Sequence, residues 1–241
     1  MNSPIGFILG TGWDGIVKDV KNKKETSFEK IFKRKTTAIG HKGIVIKGYL
    51  QEKEVILLSG RFHTYEGYSS HEATETVRYL HMEGVKKIII TSAVGALNPK
   101  YQVGDLVILH DLITLFCQSP LSGPQFQNMS EPFSRLLVES AVRSCTRVEI
   151  PFQKGVHVYF RGPHFETFAD KMALRFLGAD VCGMSMAPEV IMANHLNMEV
   201  LGLSLVTNLA FVKHDAEEVL AQARSQEKNL RKFFLEFMKI I

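Results

Sequence analysis

The sequence predicts a single α/β domain, and three observations support this prediction. Short strand-like runs alternate with amphipathic helical patterns along the chain. Several of these runs are continuously apolar, as expected of strands that are buried on both faces of a sheet. The chain has 241 residues, of which 45% are hydrophobic and 22% charged, and no repeat or long Pro/Gly/Ser linker divides it. We therefore expect residues 1–241 to share one core.

The strands are predicted from apolar and β-branched runs. The first is expected at about Ile5–Leu9, and seven more follow it along the chain: "GIVIKGYL", "EVILLSG", "KKIIITSA", "DLVILHDLITL", "GVHVYFRG", "DVCGMS" and "VLGLSLVTN".

Two helices are predicted from residues at helical spacing. The segment "SHEATETVRYLHMEG" places Ala73, Val77, Leu80 and Met82 near one face and ends at Gly84, which suits a helix C-terminus. From Ala216 onward a closing amphipathic helix is expected. Its apolar stripe predicts core packing rather than a cofactor site: Val219, Leu220, Ala223, Leu230, Phe233, Phe234 and Phe237.

Charge and cysteine content exclude several classes of protein. The net charge of +4 is too small to indicate nucleic-acid binding. The basic run Lys18–Lys35 contains interspersed acidic residues, which favours a solvated surface. Cys117, Cys145 and Cys182 are odd in number and far apart, so neither a zinc site nor a disulfide framework is predicted. With no signal peptide or membrane-spanning run visible, we expect a cytoplasmic protein with no membrane partner.

A glycine motif follows the first predicted strand. In "GTGWDG", Gly10, Gly12 and Gly15 match the G-x-G-x-x-G spacing of dinucleotide-binding proteins. That spacing alone is weak evidence, because glycine is common. The motif does predict a tight loop whose backbone N–H groups can approach an anion.

Polar residues follow five predicted strands, where an α/β sheet places its ligands. One by one these residues are ordinary turn formers or surface groups. Together they predict one cleft for an anion and a polar small molecule. The residues are Arg61, His63 and Tyr65; Thr91 and Ser92; Arg161, His164, Phe165 and Glu166; Met184 and Ser185; and Thr207 and Asn208.

Five blocks of sequence resemble the trimeric purine nucleoside phosphorylases of the nucleoside phosphorylase superfamily. In family order, they are "GTGWDG", "GRFHTYEGY", "ITSAVGALNPKYQVGD", "GPHFET" and "GADVCGMSMAPEV…LGLSLVTN". The resemblance implies a phosphorylase/hydrolase-like fold, in which helices flank a twisted mixed β-sheet with a partly closed barrel. It also implies a homotrimer that splits purine nucleosides reversibly with inorganic phosphate. Phosphate is then a cosubstrate, and no metal or organic cofactor is expected.

The resemblance also implies a role for each matching residue. Thr11, Arg61, His63, Ser185 and the backbone at Ala93 are expected to bind phosphate. Thr11 stands where many relatives have Ser, and the glycine motif becomes a phosphate loop rather than an NAD site.

The nucleoside site follows in the same way. Tyr65 and Met184 match ribose contacts, while Phe165, Glu166 and Asn208 match base contacts. Glu166 is expected to accept from the purine N1–H, and Asn208 to donate toward N7 and O6. With His63, these two are the expected catalytic residues. Phe126 matches an aromatic side chain that a neighbouring subunit inserts.

Two departures from the family pattern affect these expectations. Ser92 stands where many relatives have Asn, so a contact near the base or phosphate differs. The segment after Asn208 is shorter than in relatives, where a histidine contacts the ribose 5′-OH. Here Ala216 occupies the ungapped position, and His214 is the candidate for that contact.

The function expected from these residues is phosphorolysis of 6-oxopurine nucleosides such as inosine and guanosine. Glu166 and Asn208 motivate this specificity. Two alternatives remain open: a methylthioadenosine phosphorylase-like enzyme, and a catalytically silent relative that only binds nucleosides.

Overall fold

A computed structural model describes residues 3–213 and 215–241, and in it a single nine-stranded mixed sheet organises the molecule. The strands are β1 (Ile5–Leu9), β2 (Lys21–Ser27), β3 (Ile44–Leu50), β4 (Lys53–Ser59), β5 (Lys87–Ala96), β6 (Leu106–Ile113), β7 (Phe152–Tyr159), β8 (Val181–Gly183) and β9 (Glu199–Leu209).

The sheet closes on itself over part of its width. Its strand order is β2-β3-β4-β1-β5-β8-β7-β6-β9, and β5 also pairs with β9. These pairings join β5, β8, β7, β6 and β9 into a ring, which is a closed barrel of parallel and antiparallel pairs. The other four strands extend from β5, with β1 parallel to both β4 and β5. The expected twisted mixed sheet with a barrel is confirmed.

The edge strand β2 has no counterpart among the predicted strands. It lies within the basic run and is almost entirely exposed, so no apolar pattern in the sequence predicts it. Lysine-rich edge strands oppose pairing with other chains. The prediction that this run faces solvent is confirmed for β2, and the run continues into the short helix that follows it.

Eight helices and two short 3-10 helices complete the described chain. They are α1 (Phe28–Phe32), α2 (Ser70–Ala73), α3 (Glu75–Met82), α4 (Arg135–Arg147), α5 (Phe168–Phe176), α6 (Ala187–His195), α7 (Ala216–Ser225) and α8 (Glu227–Ile240), with the 3-10 helices Asp14–Asp19 and Thr64–Glu66.

Both predicted helices are interrupted, and one apolar assignment is wrong. The first breaks at Thr74, and the closing helix breaks at Gln226. The pattern predicts Met82 on the same face as Val77 and Leu80, but Met82 is 78% exposed whereas the other two are buried. Two residues advance a helix by about 200°, so Met82 points away from the face that Leu80 occupies.

The core lies on both sides of the sheet. One cluster packs α8 and α4 against β1, β4 and β9, and the aromatic stripe of the closing helix lies inside it, with Phe233, Phe234 and Phe237 fully buried. The second cluster packs α3 and α6 on the other side. The expected core packing is confirmed for Ala223, Leu230 and the three phenylalanines. It is wrong for Val219 and Leu220, which are half-buried, and Val219 lines a cavity instead. Within residues 3–213 and 215–241, no helix has the length and apolar character to span a bilayer.

Candidate active site

One cavity of about 190 Å³ lies at the carboxyl ends of β1, β4, β5 and β9 and beside the loops after β7 and β8. Parallel strands end at the same edge of a sheet, so residues distant in sequence meet there. Ten of the twelve residues predicted for the site line this cavity: Thr11, Arg61, His63, Tyr65, Ala93, Phe165, Glu166, Met184, Ser185 and Asn208.

The other two predicted residues are placed differently. Phe126 is 94% exposed and does not line the cavity. His214 lies outside the described residues. Asp215, beside it, caps α7 by accepting a hydrogen bond of 2.9 Å from the backbone N–H of Glu218. Arg161 and His164, also noted after a strand, line a separate and wider cleft together with Tyr65.

The glycines after β1 are required for close packing. A Cβ at Gly10 would lie 2.7 Å from the carbonyl oxygen of Thr91, and one at Gly12 would lie 2.6 Å from Ala223 of α7. Gly12 also has a φ of +86°, which disfavours other residues. The loop leads into a 3-10 helix rather than the α-helix of a dinucleotide-binding unit. Thr11 is thereby held at the cavity wall.

Arg61 is a buried cation, and its guanidinium is already partly engaged by the protein. Nη1 donates to Glu189 Oε2 at 3.0 Å, and Nη2 donates to the carbonyl oxygens of Ile8 and Thr91. Arg61 and Glu189 side chains are only 1% and 3% exposed. Both terminal nitrogens of Arg61 therefore already have protein acceptors, which reduces the number of N–H groups that remain for a phosphate ion. Nε is buried without an acceptor among the described residues.

Glu189 is a residue that sequence reasoning did not assign. Its Oε2 caps the N-terminus of α6 by accepting from the backbone N–H of Met186 at 3.0 Å. Its Oε1 is buried without a partner in the described chain. Burial raises the pKa of Glu189, and the adjacent Arg61 charge opposes that shift. The quoted block "GMSMAPEV" contains this glutamate, but no pattern within the block indicates that it faces an arginine 128 positions earlier.

His63 is held by Glu66 across one 3-10 turn. Glu66 Oε1 accepts from both the backbone N–H and the ring Nδ1 of His63, each at 2.9 Å. Burial lowers the pKa of His63 despite this carboxylate. Burial alone would raise the pKa of Glu66, but hydrogen bonds from His63 and Thr37 lower it to about 2. With Nδ1 protonated toward Glu66, a neutral His63 has Nε2 as its acceptor.

His41 is a further cavity residue, and no motif in the sequence indicates it. Its ring stacks on His63 with centroids 5.0 Å apart, and His63 stacks on Tyr65 at 4.5 Å. Its Nδ1 accepts from the backbone N–H of Arg61 at 3.3 Å. Burial, and then the nearby His63 and Arg61 charges, lower the pKa of His41 to about 3. His41 lies in a loop before β3, outside the strand ends where ligand residues were sought.

The opposite part of the cavity carries an acid and an amide. Glu166 Oε1 lies 3.0 Å from the thiol of Cys182, a second unpredicted lining residue. Thr207 Oγ1 lies 3.3 Å from Asn208 Oδ1. Ser92, the noted departure, also lines the cavity, and its hydroxyl lies 2.9 Å from that of Ser204.

The cavity therefore combines two chemical environments. One end carries Arg61, the two histidines and the hydroxyls of Thr11 and Ser185, which suits an oxyanion. The other end carries Phe165, Glu166 and Asn208, which suits a flat ring with donors and acceptors on its edge. Within residues 3–213 and 215–241, no group of three or more His, Cys, Asp or Glu side chains is arranged to hold a metal ion.

Known proteins resemble this chain over nearly its whole length. The model of the Phosphorylase superfamily matches residues 4–239. The chain is 34% identical over 256 residues to a purine nucleoside phosphorylase of Rattus norvegicus, covering 98% of this chain and 89% of the relative. It is 38% identical over 214 residues to purine nucleoside phosphorylase 1 of Bacillus subtilis, covering 86% and 79%.

A solved structure of a purine nucleoside phosphorylase has the same fold as this chain. The purine nucleoside phosphorylase of Schistosoma mansoni in complex with inosine superposes with a TM-score of 0.92 at 33% identity, covering 99% of this chain and 90% of that one. Family model, sequence relatives and fold agree over nearly the full length. The chain belongs to the phosphorylase superfamily, among its purine nucleoside phosphorylases.

Proposed function

We propose that this protein catalyses the reversible phosphorolysis of purine nucleosides, with 6-oxopurine nucleosides such as inosine and guanosine as its substrates. The observation that carries the proposal is the single cavity in which an arginine-centred anion site faces an acid–amide pair. Its relatives are named for this reaction, and structures of the Schistosoma enzyme are described with hypoxanthine and with inosine.

In this proposal phosphate attacks C1′ of the sugar as the bond from C1′ to the base breaks. Positive charge develops on the ribose, and the bound phosphate anion stabilises it. Arg61, His63, Thr11, Ser185 and the backbone at Ala93 hold the phosphate. The donors among these groups neutralise part of its charge and leave one oxygen for the attack, while Nε2 of the neutral His63 accepts from the protonated oxygen of hydrogen phosphate.

The departing base takes the electron pair of the broken bond. Negative charge spreads to N7 and O6, where Asn208 donates a hydrogen bond that strengthens as the bond breaks. Glu166 accepts from N1–H, which a 6-oxopurine has and a 6-aminopurine lacks. Phe165 packs beside the ring, and Tyr65 and Met184 contact the ribose.

The proposal extends to cosubstrate, assembly and location. Phosphate is the only cosubstrate, and no metal or organic cofactor takes part. The exposed Phe126 completes the site of a neighbouring subunit in a homotrimer. The location is cytoplasmic, in keeping with Cys117, Cys145 and Cys182, which are all free thiols.

The decisive experiment is base release from inosine, guanosine, adenosine and methylthioadenosine, each with and without phosphate. We expect phosphate-dependent release of hypoxanthine and guanine and formation of ribose 1-phosphate. Release without phosphate would make the protein a hydrolase. Preference for methylthioadenosine would overturn the 6-oxopurine assignment, and binding of nucleosides without turnover would indicate a silent relative.

A further inference from the structure

The cavity wall behind Glu166 carries a cysteine thiol. Cys182 lies in β8, is only 5% exposed and lines the cavity. Its Sγ is 3.0 Å from Glu166 Oε1. The two residues meet because β8 pairs in parallel with β7, with Cys182 opposite Val158, and Glu166 lies in the loop that follows β7.

This thiol is a hydrogen-bond donor. Burial raises the pKa of Cys182, and the adjacent Glu166 charge and hydrogen bond raise it further. The sulfur therefore keeps its proton at neutral pH, and its S–H donates to the carboxylate. No hydrogen bond from the rest of the described chain reaches Glu166 Oε2. The two oxygens of this carboxylate consequently differ: one is engaged by the cavity wall and the other is not.

We propose that Cys182 is a specificity-determining residue that positions Glu166, directing Oε1 to the barrel wall and presenting Oε2 to the base. This inference rests on the proposed function, in which Glu166 accepts from the purine N1–H. The thiol limits the carboxylate to one fully available acceptor for the base.

The consequence concerns bases that differ in the number of donors on one edge. Hypoxanthine offers N1–H there, whereas guanine offers N1–H and the adjacent 2-amino group. A free carboxylate can accept from both guanine donors, one on each oxygen, as it does from the two donors of an arginine fork. Because Oε1 already accepts from Cys182, a hydrogen bond from the 2-amino group of guanine adds little to the binding of that base. The wild-type protein should therefore discriminate weakly between the two bases.

The test compares Cys182→Ala with Cys182→Ser, two small side chains that differ in the presence of a donor. Dissociation constants for hypoxanthine and guanine are measured by calorimetry, together with kcat/KM for inosine and guanosine. In Cys182→Ala, the preference for guanine over hypoxanthine should rise about tenfold, the lower range for one hydrogen bond to a charged group. In Cys182→Ser the hydroxyl replaces the thiol donor, and the preference should stay within about twofold of wild type.

The outcomes distinguish a failure of the role of Cys182 from a failure of the proposed phosphorolysis. An unchanged preference in Cys182→Ala, or the same change in both variants, overturns the role of Cys182 while leaving phosphorolysis intact. A rise in the KM for phosphate in both variants would show a general disturbance of the cavity and would also overturn it. If the wild-type protein binds neither base and cleaves no nucleoside, the proposed function itself fails.

Discussion

At the scale of the residue, Arg61 shows how a binding group can also be part of the core. It is buried, paired with Glu189 and bonded to two backbone carbonyls that belong to neighbouring strands. Removing one member of a buried ion pair leaves the other charge unpaired and costs about 3–5 kcal/mol. A loss of activity in a single Arg61 variant would therefore have two causes, weaker phosphate binding and lower stability of the fold.

A pair of variants separates these two effects. Arg61→Ala should raise the KM for phosphate strongly and lower the free energy of unfolding, because Glu189 is then buried without its partner. Arg61→Ala combined with Glu189→Gln should recover part of the stability, since no unpaired carboxylate remains, but should keep the raised phosphate KM. Urea unfolding and steady-state kinetics measure both. A phosphate KM at the wild-type value in the double variant would remove Arg61 from the phosphate site.

At the scale of the element, a β-bulge sets the position of Asn208. The pairing of β5 with β9 shifts register between Val94 and Gly95, so that Gly95 lies opposite Asn208 and Thr207 is the extra residue. Bulges redirect side chains next to active sites. Gly95 leaves room for the carboxamide, because a Cβ there would lie 2.9 Å from Asn208 Nδ2.

The substitution Gly95→Ala should therefore displace the side chain of Asn208 while leaving the residue itself unchanged. We expect a lower single-turnover rate, in the direction of Asn208→Ala, for which the loss of one pre-organised donor predicts a decrease of about 10²–10³-fold. The KM for phosphate should change little. Met82→Ala, at a 78% exposed position on α3 that does not line the cavity, is the control. If Gly95→Ala turns over at the wild-type rate, the bulge does not position Asn208 for chemistry.

At the scale of the whole molecule, assembly should control activity. Phe126 is 94% exposed and absent from the cavity of its own chain, so its proposed role requires a neighbouring subunit. Specific activity should fall on dilution as the trimer dissociates, and Phe126→Ala should lower it at the concentrations where the trimer persists. Phe176→Ala, at a 93% exposed phenylalanine on α5, is the matched control. Activity that is independent of concentration, with a monomer by light scattering, would contradict the trimer.

The buried histidines should make global stability depend on pH. Burial lowers the pKa of His157 to about 4 and that of His41 to about 3, both below the ordinary value of 6.5. Below pH 6.5 the unfolded chain takes up protons that the folded chain excludes, so stability falls as the pH decreases. Each such histidine should remove about 2 kcal/mol between pH 7 and pH 5.

His157→Phe tests this linkage at a fully buried position that does not itself line the cavity, although it lies against Gly183 and Ser185, which do. The difference in unfolding free energy between pH 7 and pH 5 should shrink by about 2 kcal/mol relative to wild type. Above about pH 7.5 the two proteins should show nearly the same slope, because the histidine is then almost entirely neutral in both the folded and the unfolded chain. An unchanged slope below pH 7 would mean that His157 titrates equally in the folded and unfolded chains.

The sequence by itself determined what depends on local pattern. Apolar runs specified the buried strands, helical spacing placed Phe233, Phe234 and Phe237 in the core, and short motifs at strand ends supplied ten cavity residues. The edge strand β2 escaped this reasoning because an exposed strand has no apolar period. The roles of the predicted site residues remain predictions, and His214 lies outside the described chain.

Only the tertiary structure decided which residues meet across the closed barrel. Glu189 contacts Arg61 over 128 positions, and Cys182 contacts Glu166 because β7 and β8 pair. His41 reaches the cavity from a loop before β3 and stacks on His63. Such contacts follow from the strand order and register of the sheet. Neither the order nor the register can be read from the residues that neighbour each side chain in the sequence. The same residues in another strand order would keep every local motif and lose the site.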